Sequence, residues 1–154
     1  SESQSYDFAT GDAGGSDTYP ISAGAVKKGS FCMLKGWPCK VIEYSTAKVG
    51  KHGSAKAKII GTDIFTGNKY EEICPTSHNM ECPNVFRTTY QLIGENEGFC
   101  TLLDDKGETR EDITIPDGDL GGKIMDMYND GKAVSVVVQK ACKMEMIVEA
   151  KEIL

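Results

Sequence analysis

Long apolar runs are missing from this chain of 154 residues. A membrane-spanning helix needs about 20 consecutive apolar residues, and the strongest stretches here, such as Ala133–Val138, are strand-sized. No membrane span is expected. Proline is scarce, at 5 residues, which excludes a Pro-rich or collagen-like chain, while 17 glycines suit many tight turns. Only two histidines are present, His52 and His78, and their placement offers no nucleophile–base–orienter set. No Asn-x-Ser/Thr acceptor occurs, and the opening Ser1-Glu2-Ser3-Gln4-Ser5-Tyr6-Asp7 has neither the basic start nor the apolar run of a secretory signal. Six cysteines (32, 39, 74, 82, 100 and 142) lie far apart. A chain of this size can build a core without disulfides, so free thiols in a reducing cytoplasm are expected.

What is present begins with 40% hydrophobic residues, enough for a packed core. Charge is unevenly spread. Residues 20–60 hold eight lysines (27, 28, 35, 40, 48, 51, 56 and 58) against the single acid Glu43, a local balance of +7 inside a chain of net charge −6. Residues 1–19 carry four acids and no base, and residues 61–154 carry 18 acids against nine bases. A local basic field determines where a polyanion is met. The plainer reading is a solvated lysine-rich sheet face.

Three regions follow from the pattern. Residues 1–19, rich in Ser, Gly, Asp and Thr, are expected to be a flexible acidic tail. Residues 20–83 give short strands around Ala25 and over Phe31–Lys35, Pro38–Tyr44, Lys56–Asp63 and Lys69–Cys74. Gly29, Gly36, Gly50, Gly53, Gly61 and the Thr66-Gly67-Asn68 turn break them up. Such strands suit a small barrel, whose closure removes exposed edges. Pro83 marks a boundary. Residues 84–154 give strands Phe86–Ile93, Phe99–Leu103 and Asp112–Ile115, then a helix opening at Pro116-Asp117-Gly118-Asp119. Leu120, Ile124, Met127 and Tyr128 line one helical face, and Asn129-Asp130-Gly131 stops it. Strands Ala133–Cys142 and Met144–Ala150 follow. Three strands, a helix and two strands is the order of an OB-fold barrel. The expected class is mainly β, two small barrels in one chain.

The segment from Ser45 to Lys56, Ser-Thr-Ala-Lys-Val-Gly-Lys-His-Gly-Ser-Ala-Lys, joins two apolar strands and should form a hairpin tip. Gly50 and Gly53 bracket Lys51-His52 and permit the positive φ that a tight tip demands. Lys48 and Lys56 flank it. A phosphate-binding P-loop is excluded, because Ser45 replaces the first glycine, His52 the hydroxyl residue, and a strand follows. A Schiff-base lysine would need burial that a glycine-flanked tip cannot supply. The Cys74-x-x-x-His78-x-x-x-Cys82 segment could offer three zinc ligands, but structural zinc sites draw four from closely paired residues. An ordered turn between Pro75 and Pro83, with no metal, is expected instead.

The Ser45–Lys56 run resembles the hypusine loop of the eukaryotic translation initiation factor 5A family. So do Asp63-Ile-Phe-Thr-Gly-Asn-Lys-Tyr-Glu71, Cys74-Pro-Thr-Ser-His-Asn-Met80, Tyr90-Gln-Leu-Ile93 and Pro116-Asp-Gly-Asp-Leu-Gly121. The likeness runs in unbroken order from about Thr10 to Val138 and is weaker over Lys140–Leu154. Ala47, Val49 and Ser54 stand where many members carry Ser, Thr and His, and Trp37 where a basic residue is common. Trp37 either stacks on RNA or covers the barrel.

The resemblance implies an SH3-like N-terminal barrel and a C-terminal OB-fold. It implies that Lys51 becomes hypusine, the aminobutyl group coming from spermidine through deoxyhypusine synthase and the hydroxyl from a deoxyhypusine hydroxylase. The chain is then a substrate of that chemistry and not an enzyme, with no cofactor beyond the hypusine itself. It implies binding to the ribosome (ribosomal RNA and proteins) beside the peptidyl tRNA, relief of stalling at proline runs and help in termination. Lys48, Gly50, His52, Gly53 and Lys56 would form the tRNA–ribosome contact around Lys51. The compartment implied is the cytoplasm, with the nucleus as a further one. The rival reading is a free-standing RNA-binding or RNA-chaperone protein acting through its lysine patch. An enzyme built on Cys74, His78 and Cys82 is the third.

Overall fold

The computed structural model describes residues 17–48 and 55–154, which divide into two compact units meeting at Asn84/Val85. The expected tail, 1–19, lies outside the described residues up to residue 16. Its last two residues correct the reading: Thr18 and Tyr19 belong to strand β1 (Thr18–Ser22). Proline and small polar residues hide β1 from a pattern search, and its partner β6 (Asn79–Pro83) lies some 60 positions away. Neither has a local hairpin to announce it. The strand expected around Ala25 is a 3-10 turn, Ala23–Ala25.

The rest of the first unit is a curled four-stranded antiparallel sheet in the order β2-β3-β4-β5, formed by β2 (Phe31–Leu34), β3 (Trp37–Lys48), β4 (Ala55–Asp63) and β5 (Lys69–Pro75). Lys35 and Gly36, at φ 52° and 84°, make the two-residue turn between β2 and β3, a positive-φ turn whose twist matches the right-handed twist of the strands it joins. At the β4–β5 turn Asp63 is buried and its carboxylate accepts the amides of Phe65 (2.8 Å) and Thr66 (3.2 Å). Alternation puts Leu34, Cys39, Val41, Ala57 and Ile59 inside with Ala23, Val26, Cys32 and Met80. The two sheet edges are clasped by side chains. Trp37 stacks on Tyr70 of β5 at 6.1 Å, and the Lys35 amide donates to Glu72 of β5 at 2.6 Å.

The second unit is a five-stranded antiparallel sheet, order β11-β10-β7-β8-β9, with one helix. Its elements are β7 (Phe86–Asn96), β8 (Phe99–Leu103), β9 (Thr109–Arg110), α1 (Gly118–Asn129), β10 (Val134–Ala141) and β11 (Met144–Glu152). The chain is therefore mainly β with two small barrels, as the sequence pattern leads one to expect. The strand expected over Asp112–Ile115 is displaced: β9 precedes it, and Thr114 makes only a single bridge to Phe99. Ile124 is fully buried, with Leu120, Met127 and Tyr128 packed against the same core. No helix among the described residues is long and apolar enough to cross a membrane.

A guanidinium clasps this second sheet. Arg110, on the edge strand β9, forks onto Glu145 of the opposite edge strand β11 (2.8 and 3.1 Å) and onto Asp112 (2.7 and 2.6 Å), and lies 5.9 Å from the Tyr90 ring centre. Planar forks of this kind suit arginine and not lysine. The Arg110 hydrogen bonds hold the Asp112 carboxyl below its ordinary range and raise the guanidinium above its own.

Two predictions follow from this unit. A Cβ on Gly121 would sit 1.8 Å from the Pro116 carbonyl oxygen, whereas one on Gly122 meets nothing within 4 Å. Gly121→Ala should therefore cost about 2 kcal/mol or more by overpacking, although alanine normally favours a helix, and Gly122→Ala should gain roughly 0.5–1 kcal/mol. Denaturant melts of both variants check the opposite signs. The Asp112 carboxyl has a lower pKa folded than unfolded, so its contribution is complete above the unfolded value near 4 and is lost as pH falls through the folded one. Asp112→Asn should thus be less stable than the parent at pH 6, and the gap should close towards pH 2.

Candidate functional site

The site is built on the end of one sheet. Strand β2 stops pairing with β3 at Phe31–Lys40, and two loop bonds carry support only as far as Val41. Strands β3, β4 and β5 run on without it. Ile42 is bulged out where the register shifts between Val41 and Glu43, which increases local twist and turns the exposed edge aside. The ladder then continues through Tyr44–Ile59, Ser45–Lys58, Thr46–Ala57 and Ala47–Lys56 to its last pair, Lys48–Ala55. Residues 49–54 join those two ends.

Of the residues expected to act, Gly50, Lys51, His52 and Gly53 lie outside the described residues. Lys48 and Lys56 are exposed at the root of the tip. Alternation along the paired strands places them on opposite faces: Lys56 shares its face with Ala47 and Pro75, and Lys48 shares the other with Ala55. Lys58, two residues on, lies on the Lys56 face between Ser45 and Ile73. Among the described residues, none of Lys40, Lys48, Lys56 and Lys58 has a carboxylate within ion-pair distance. Cationic heads held apart and unneutralised at a sheet end favour a polyanion over a single small ligand.

The root is braced in a way the sequence does not announce. The Tyr44 hydroxyl donates to the Ala23 carbonyl at 2.8 Å. The Ala23 amide donates to the His78 carbonyl and the Gly24 amide to the Thr76 carbonyl, both at 2.8 Å. The Thr76 amide in turn donates to the Ala55 carbonyl at 2.9 Å, on the first described residue after the tip. Tyrosine in an amphipathic strand gives no sign of where its hydroxyl will reach, so residue pattern does not reveal this set of contacts.

The rival chemistries find little support. Cys74 ends on β5, His78 in the exposed turn and Cys82 on β6, and no group of three or more His, Cys, Asp or Glu among the described residues could hold a metal. Desolvation raises the Cys74 and Cys82 thiols and pushes Cys32 to about 12 and Cys39 to about 11. A nucleophilic cysteine needs the opposite shift. All six cysteines are free thiols, and Cys32 and Cys39 face each other across β2 and β3. Trp37, 44% exposed, is held against Tyr70 as part of the barrel clasp.

Comparison with known proteins covers both units. Residues 16–78 match the family model described as translation initiation factor 5A-like, N-terminal, and residues 84–151 the one described as eukaryotic elongation factor 5A hypusine, DNA-binding OB fold. The second match reaches residue 151, so the family likeness extends through β11, further than the sequence motifs carry it. The eukaryotic translation initiation factor 5A of Spodoptera exigua is 48% identical over 94% of this chain and 91% of its own length. Eukaryotic translation initiation factor 5A-1 of Saccharomyces cerevisiae is 40% identical over 97% and 95%. Among solved structures, a translation initiation factor 5A family protein of Naegleria fowleri superposes with a TM-score of 0.84 at 45% identity, covering 88% of this chain and 99% of that one. These relatives are named as translation factors and not as enzymes. With both units matched, the chain belongs to the eukaryotic translation initiation factor 5A family.

Proposed function

We propose that this chain binds the ribosome beside the peptidyl tRNA and promotes peptide-bond formation at stalling sequences such as proline runs, and also termination, through a hypusine formed on Lys51. The observation that carries the reading is the root of the tip: Lys48 and Lys56 stand exposed on opposite faces of a sheet end, beyond the last core pair, with no carboxylate partner among the described residues. Lys51 follows three residues after Lys48.

The chemistry of the tip accounts for the modification. Lysine is a compact cation on a flexible stem. An aminobutyl group from spermidine, added by deoxyhypusine synthase and hydroxylated by a second enzyme, would lengthen that cation and supply a hydroxyl and a secondary amine as donors. A thin cationic arm can follow a tRNA acceptor end where a folded barrel cannot fit. Held in position, it would act by orienting the peptidyl end for a reaction that the ribosome catalyses. Lys48 and Lys56, with Gly50, His52 and Gly53 shaping the loop between them, would contact phosphates and carry no base readout. The chain would thus be a substrate of two modifying enzymes, working in the cytoplasm with no separate cofactor.

Two outcomes test this reading. Lys51→Arg keeps the charge but cannot accept the aminobutyl group; it should melt like the parent and lose stimulation of proline-run translation. Full activity of that variant would favour a free-standing RNA-binding protein instead. Lys48→Ala and Lys56→Ala should each weaken ribosome binding and reduce the salt dependence of log affinity by roughly one phosphate's worth, a slope change of about 1. A salt-independent affinity would contradict the electrostatic part.

A further inference from the structure

We infer that Tyr44, Gly24 and Thr76 are positioning residues for the tip, acting by fixing the backbone at Ala55 rather than by touching RNA. The inference rests on the reading of Lys51 given above.

The tip leaves and re-enters the fold at Lys48 and Ala55, so the direction in which residue 51 is presented depends on how firmly those two ends are held. Strand β3 has no neighbouring strand on its outer side beyond Val41 among the described residues, and an unsupported edge of this kind twists and frays. One hydrogen bond stands in for the missing neighbour of β3, and a second carries the β4–β5 pairing to the end of β4. One is lateral: the Tyr44 hydroxyl reaches the Ala23 carbonyl at 2.8 Å, tying β3 to the 3-10 turn four residues before the tip root. The other is terminal: the Thr76 amide holds the Ala55 carbonyl at 2.9 Å.

The two bonds are not independent. Thr76 receives the Gly24 amide at 2.8 Å, and His78 receives the Ala23 amide at the same distance, so the 3-10 turn grips the β5–β6 turn that in turn grips Ala55. Ala23 is fully buried and anchors the turn in the barrel core. Glycine at 24 allows a close approach: a Cβ there would lie 3.3 Å from both the Cβ and the carbonyl oxygen of Thr76, tighter than ordinary contact. An alanine at that position must push the β5–β6 turn outward by a few tenths of an ångström, and Ala55 is bonded to what moves. A shift of one ångström at a reacting group can cost about a hundredfold in rate. Loosening the tip root should therefore lower the productive fraction of bound molecules while leaving the lysines free to bind.

The expected signature is a split between rate and affinity. Tyr44→Phe and Gly24→Ala, prepared in the native cell and normalised to the Lys51-modified fraction by intact mass, are compared with the parent on ribosomes translating a proline run. Both should bind ribosomes within about twofold of the parent, and both should give a saturating rate reduced several-fold. Lys56→Ala should do the reverse, raising the concentration needed for half-effect with little change in the saturating rate. Tyr44→Phe removes one hydroxyl and serves as the gentle variant should Gly24→Ala fold poorly. A saturating rate equal to the parent's in Tyr44→Phe overturns the inference, as does a loss that merely tracks a fallen melting temperature. Lys51→Arg run alongside separates the two claims: if it is active the Lys51 reading falls, whereas if it is inactive and Tyr44→Phe is normal only the brace falls.

Discussion

A strand edge without a neighbour is the constraint on which this molecule turns. Small β sheets must close or cover their edges to remain soluble and unique, yet β3 and β4 of the first unit outrun β2. Trp37–Tyr70 and Lys35–Glu72 clasp the sheet near its base, between β3 and the β2–β3 turn on one side and β5 on the other. The opposite end is left open: the Tyr44 hydroxyl ties β3 to the Ala23 carbonyl there, and the Thr76 amide extends the β4–β5 pairing to Ala55.

The second unit solves the same problem differently. Its two sheet edges are β9 and β11, and Arg110 joins them by a forked contact with Glu145 while also holding Asp112. Only the Asp112 arm of this contact is largely exposed, and its forked geometry is specific to arginine. Charge divides the units as well. The lysines cluster in residues 20–60, while the second unit is rich in acids despite an OB-type topology often used for nucleic acid. Fold alone therefore does not make this unit an RNA-binding surface.

Much of this could be read from residue pattern, and what could not has identifiable causes. Elements with a local partner were legible: β7 and β8 pair with each other across a tight turn, β10 and β11 likewise, and the Leu120, Ile124, Met127, Tyr128 stripe located α1. Strands β1 and β6 were not, because they pair only with each other, across some 60 positions, and contain Pro20 and Pro83. At the site, the exposed lysines of the root, Lys48 and Lys56, are legible from composition and spacing, while Gly50, Lys51, His52 and Gly53 lie outside the described residues. The brace was not, because it is made of backbone amides and carbonyls of Ala23, Gly24, Ala55, Thr76 and His78, and any residue has those. Only the glycine at 24 leaves a trace in the sequence, and one glycine among 17 carries no message by itself.

The account stands on the chemical state of one side chain. Peptide mass analysis of the protein isolated from its own cells, on a preparation active in translation, tests it most directly. The account predicts a single hydroxylated aminobutyl addition located on Lys51. Fully active protein carrying an unmodified lysine at that position would contradict it.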